Sequence, residues 1–189
     1  MPNKKILRIM MMITNATVKA WHLLLIIGLL GVFIGLYMFV FIKNEEIMMP
    51  GVFFIIGGLS IIVFTLFNYQ SVFDWIWYLV YGTLMCGIGY YMATYTGDSP
   101  FFVLSGATLF VSVILIGIGY DLSKAGVPGW KGMIKSCVVG VLFSLLSFAE
   151  PVFIVLSIVT IGISMILLSL EFRNMNLINR RINKRMIKL

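Results

Sequence analysis

The chain has 189 residues, 61% of them apolar, and a mean hydropathy of +1.06. A soluble domain of this composition would expose large apolar patches to water, so the sequence reads as that of a membrane protein. The net charge of +7 does not point to nucleic acid, because the basic residues gather at the chain ends: Lys4, Lys5, Arg8 and Lys19 precede the first apolar run, and Arg173, Arg180, Arg181, Lys184, Arg185 and Lys188 follow the last.

Residues 1–20 form a basic, methionine-rich segment. Trp21 to Ile42 then carries no charge and, at ~1.5 Å per residue, is long enough to cross a ~30 Å hydrocarbon core. It is longer than the apolar core of a secretory leader, so it is expected to be a retained anchor. Lys43 to Glu46 makes a polar turn, and Pro50 suits the opening turn of a helix because it lacks only a donor that would be unpaired there. A second span is predicted over 51–67. The third runs from Trp75 to Tyr95, with Trp75, Trp77, Tyr78 and Tyr81 at one end and Tyr90, Tyr91 and Tyr95 at the other, as in headgroup belts. Thr96 to Ser99 turns the chain into Pro100 and a fourth span reaching Tyr120. Residues 121–129, with Gly126, Pro128 and Gly129, read as a loop.

The fifth span is predicted from Trp130 to Ala149, with Lys131 and Lys135 snorkelling to the headgroups. Glu150-Pro151 leads into a sixth, which ends near Leu170. Beyond it, residues 171–189 place Phe172, Met175, Ile178, Ile182, Met186 and Leu189 at helical steps between basic residues. This tail has the character of a basic amphipathic helix lying on anionic lipids.

The spans repeat. Trp21, Gly28 and Gly35 stand in a Trp-x6-Gly-x6-Gly pattern that returns at Trp75, Gly82 and Gly89, and again at Trp130 with Cys137 and Ser144 at the glycine positions. Pro50, Pro100 and Pro151 keep similar time. The expected fold is therefore all-α and polytopic: six transmembrane helices in a membrane domain over 21–170, built from three tandem two-helix repeats of about 21–70, 75–120 and 130–170. Two crossings per repeat make the repeats parallel. Thirteen of the 14 Lys and Arg fall on one side of this arrangement and only Lys43 on the other, which predicts both termini in the cytoplasm.

Small residues form a stripe on each odd-numbered span: Gly28, Gly31 and Gly35; Gly82, Cys86, Gly89 and Ala93; Ser136, Gly140, Ser144 and Ser147. Such stripes let helix backbones approach closely in lipid, or alternatively line a narrow polar path. Ser60, Thr65, Ser105, Thr108, Ser112, Ser157, Thr160 and Ser164 lie in the even spans, where hydroxyls bond back to their own helix. All seven acidic residues (Glu45, Glu46, Asp74, Asp98, Asp121, Glu150, Glu171) fall in loops or at span ends, which disfavours ion-coupled transport.

His22, the single histidine, reads as an interfacial residue beside Trp21, with pH sensing as the sharper alternative. An acidic outer rim of Glu45, Glu46, Asp98 and Glu150 is open to the same two readings. Cys86 and Cys137 sit in apolar runs with no metal-ligand spacing, and no cofactor or metal site is expected. Asn15-Ala16-Thr17 matches a glycosylation acceptor on the wrong side of the membrane.

Three tandem helix pairs, each beginning with Trp and small residues at sevenfold spacing and continuing through a Pro-led second helix, resemble the HdeD family of prokaryotic inner-membrane proteins. The third repeat departs from the pattern at Cys137 and Ser144. The resemblance implies a non-enzymatic protein linked to acid resistance or envelope stress, with no catalytic residues to carry over. The competing expectation is a channel or facilitator for a small neutral solute. The expected partners are the lipid bilayer and anionic lipids at the tail, with self-association left open and no nucleic acid.

Overall fold

The computed structural model describes residues 18–41, 48–70, 72, 75–94, 100–124, 127 and 129–186, with the side chains of 41, 48–50, 100 and 178–186 left aside. The expectations for residues 1–17, including Asn15-Ala16-Thr17, for the turns at 42–47 and 95–99, for Asp74, Gly126 and Pro128, for the side chains of Pro50 and Pro100, and for the basic side chains beyond Leu177 lie outside the described residues. Six helices are present among those described: α1 (Trp21–Phe41), α2 (Met48–Asn68), α3 (Trp75–Thr94), α4 (Pro100–Lys124), α5 (Trp130–Leu146) and α6 (Val152–Met186). Four of them, α1, α2, α4 and α6, are long and apolar enough to cross a membrane. α3 is diluted by Trp and Tyr at its ends, and α5 has 17 residues with Lys131 and Lys135 in its opening turns.

The helices form a ring in which each packs against its neighbours in chain order, and α6 closes on α1. α4 also touches α6, so the ring is pinched. The most extensive contacts are α2 with α3 and α1 with α6, followed by α4 with α5 and α5 with α6. The inner core is apolar and includes Leu24, Ile61, Phe64, Leu104, Leu115, Ile154 and Leu168. The outward faces are equally apolar: Phe33 and Val40 of α1, Phe67 of α2, Phe102 and Phe110 of α4, and Leu142 of α5 are all more than half exposed. Helices apolar all round, with bare hydrocarbon outside, fit a lipid solvent.

Several boundaries move from their expected places. α4 continues to Lys124, where Lys124 Nζ lies 3.9 Å from Asp121 one turn earlier and stands over the Tyr120 ring. α5 ends at Leu146, and 147–149 form a turn before Pro151. α6 does not stop at Leu170. Its 35 residues, about 52 Å of helix, exceed a hydrocarbon core, so the expected tail is continuous with the last apolar helix. The aromatic belt of α3 is also corrected. Trp75 and Trp77 are exposed, but Tyr78 and Tyr81 are 2% and 0% exposed, because steps of three and four along the helix carry them to the inner face. At the other end Tyr90 is exposed.

Candidate functional site in the helix seams

The glycine stripes lie in the two most extensive interfaces. A Cβ added to Gly28 would stand 2.7 Å from the Gly162 carbonyl oxygen and 2.8 Å from the Ile166 nitrogen, so the α1 and α6 backbones touch there. Gly31 faces Gly162 as well, and Gly35 faces Val155 and Val159. In α3, Gly82 meets Gly58 and Ile62 of α2, and Gly89 meets Gly51 and Ile55. Between them the Cys86 thiol points to the Ile55 carbonyl oxygen at 3.7 Å, and the backbone of Ala93 borders Gly51. Only residues without a Cβ allow such approach, and the gain is van der Waals contact along two whole helices.

The third stripe, on α5, is of a different kind. Ser144 Oγ lies 2.6 Å from Ser157 Oγ of α6, donates to the Gly140 carbonyl of its own helix and reaches Thr108 Oγ1 of α4 at 3.1 Å. Two turns away, Ser164 Oγ is 3.0 Å from Ser136 Oγ, and the Cys137 thiol donates to Ser164 Oγ at 3.4 Å. Gly140 sits between these clusters with Ser112 Oγ of α4 and Thr160 Oγ1 of α6 closing on it. At the far end Ser147 Oγ donates to the Ser144 carbonyl. α4, α5 and α6 thus share a buried hydroxyl seam where α1, α2, α3 and α6 share glycines. In the even helices Ser60, Thr65, Ser105, Thr108, Thr160 and Ser164 donate to carbonyls of their own helix, as their residue type favours.

An apolar cavity of about 50 Å³ lies between α1, α2, α3 and α6. Ile27, Gly31 and Ile34 line it from α1, Phe54 and Gly57 from α2, Tyr81 and Met85 from α3, and Ile158 and Met165 from α6. Its walls are hydrocarbon, so it favours apolar occupants.

The end of the bundle that holds Trp21 and Trp130 is pinned by groups the sequence reading missed. The Asn68 carboxamide accepts from the Lys19 N–H at 2.6 Å and donates to the Lys19 carbonyl at 2.7 Å and to the Phe64 carbonyl at 2.8 Å. Asn176 does the same for Val18, at 2.9 and 2.7 Å. Ser169 Oγ donates to the Trp21 carbonyl, and the Arg173 guanidinium stands 5.6 Å from the Trp21 ring centre. The chain entering α1 is therefore bound to the last residue of α2 and to α6 ten residues before its end. Single asparagines carry no period in the sequence, so only their partners reveal them.

At the same end Glu171 meets Gly129, the residue that precedes α5 with φ of 89° and no side-chain cap. That φ is one glycine adopts freely, and the N-terminus of α5 favours a nearby anion. His22 is exposed, with its ring edge-on to Trp21. Lys19, Lys124, Lys131, Lys135 and Arg173 are exposed at this end, and Glu150 and Pro151 at the opposite one. Trp130 is half-buried beneath the Lys131 ammonium. Among the described residues, no three His, Cys, Asp or Glu side chains come together. Comparison with protein-family models, curated proteins and solved structures finds no match to the chain.

Proposed function

We propose that the chain is a non-enzymatic integral membrane protein of a prokaryotic inner membrane, built as three tandem two-helix repeats whose six helices all cross the bilayer with both termini in the cytoplasm. The closure of the helix ring carries this reading. Three repeats that each lay their second helix on the first helix of the next, and the last on the first, would bring together α2 with α3, α4 with α5 and α6 with α1, and those contacts are extensive.

Two of the interfaces match residue for residue. Gly82 on Gly58 and Ile62 corresponds to Gly28 on Gly162 and Ile166, and Gly89 on Gly51 and Ile55 corresponds to Gly35 on Val155 and Val159. The register differs by 54 residues along the odd helices and 104 along the even ones at every one of these contacts. Antiparallel pairing of α3 with α2, from Gly82–Gly58 to Gly89–Gly51, supports a crossing for α3 at the depth of α2. α5 lies between α4 and α6, two helices apolar enough to cross, and gains support in the same way. The basic side chains at the Trp21 end favour that end as the cytoplasmic one.

The architecture is what a relative of the HdeD family would have, and the physiological role we assign is tolerance of acid or envelope stress. Deleting the gene should lower survival after acid challenge, with rescue by the intact chain; unchanged survival would remove this half of the proposal. The second reading, a facilitator for a small neutral solute, is favoured by the hydroxyl seam of α4, α5 and α6. Proteoliposomes distinguish the two. Glycerol or urea flux above that of empty vesicles supports the facilitator, and flux equal to theirs supports the architectural role.

A further inference from the structure

Among the described residues, three buried side-chain oxygens lack a hydrogen-bond partner: Tyr81 Oη, Ser112 Oγ and Glu171 Oε2. Two of them border α5: Glu171 meets Gly129 before its first turn, and Ser112 Oγ closes on Gly140. Tyr81 lines the apolar cavity. Tyr81 and Ser112 are both 0% exposed. A hydroxyl withdrawn from water without a replacement bond is costly, and in folded proteins ordered water usually supplies the missing partner.

The place of Ser112 is informative. One hydroxyl cluster joins Thr108, Ser144 and Ser157, and a second joins Ser136, Cys137 and Ser164. Gly140 stands three residues after Cys137 and four before Ser144, so Ser112 and Thr160 occupy the gap between the clusters. Thr160 Oγ1 donates to the Ser157 carbonyl, which leaves its lone pairs free to accept from a further donor.

We propose that this seam binds an internal water beside Ser112 and Thr160 at the level of Gly140. The water would link the two hydroxyl clusters into one line of neutral hydrogen-bonding groups from Ser147 to Ser164, suited to water and similarly small neutral molecules. It holds whether the protein is architectural or conductive.

Thermal unfolding of the full chain in nanodiscs tests this water. If Ser112 Oγ is dry, Ser112→Ala removes an unpaired hydroxyl and raises Tm; if it is hydrated, Tm falls or stays unchanged. A rise in Tm overturns the Ser112 water.

Discussion

At the scale of single residues, the glycines divide into two kinds that the sequence alone does not separate. Gly28, Gly82 and Gly89 lie where an added Cβ would stand within 2.9 Å of a neighbouring helix's backbone, whereas Gly87, Gly106, Gly117 and Gly132 have nothing within 4 Å. Alanine at the first group should therefore destabilise by about 1–3 kcal/mol through forced separation of helices. At the second group it should be neutral, or stabilising by at most about 1 kcal/mol from reduced backbone entropy. Unfolding of the single variants in detergent or nanodiscs measures the difference, and equal effects in the two groups would refute the contact assignment.

Asn68 gives a second prediction at this scale. Asn68→Ala deletes bonds to the Lys19 N–H, the Lys19 carbonyl and the Phe64 carbonyl, and leaves the Lys19 backbone without its partners. A loss of about 1–3 kcal/mol follows, with faster proteolysis near residue 20 as the local readout.

At the scale of elements, the long last helix joins two roles that the sequence reading treats as separate segments. Phe172 is buried, with its ring 5.9 Å from Phe64 of α2, and Asn176 holds Val18. Truncation after Leu177 should leave Tm nearly unchanged, whereas truncation after Leu170 should lower it by several degrees, since both anchors are lost. The shorter deletion also removes Arg180, Arg181, Lys184, Arg185 and Lys188, and should reduce the stabilisation that phosphatidylglycerol gives over phosphatidylcholine. In α5 the lysines of the opening turns are exposed while Met133, Cys137 and Ser144 are buried, so its polar groups lie at one end and against its helix partners.

At the scale of the whole molecule, the proposed six crossings would place the α3–α4 and α5–α6 connections on one face. In a chain with Cys86→Ala and Cys137→Ser, single cysteines at Ser99 and Glu150 should both react with an impermeant reagent added outside cells, and one at Lys131 should not. Reaction of the first two from opposite faces would remove the six-crossing topology. The molecule is also asymmetric across its core. Glycine seams and an apolar cavity bound one part, and hydrogen-bonded hydroxyls hold the other, with α6 common to both.

The amino-acid sequence alone determines the six helices, the apolar character of the chain and the small residues on which helices meet. These follow from local composition: runs of Leu, Ile, Val and Phe must leave water, and Gly, Pro and charge mark where each run ends. Only the tertiary structure decides that Gly28 rests on Gly162, 134 residues away, that Tyr81 turns inward and not to the headgroups, and that Asn68 and Asn176 grip the chain before α1. Apolarity on every side of a helix leaves no preferred face in the sequence. The choice of partner then rests on which backbones can approach within a glycine's reach and which buried polar groups find one another, and both are properties of two distant segments together.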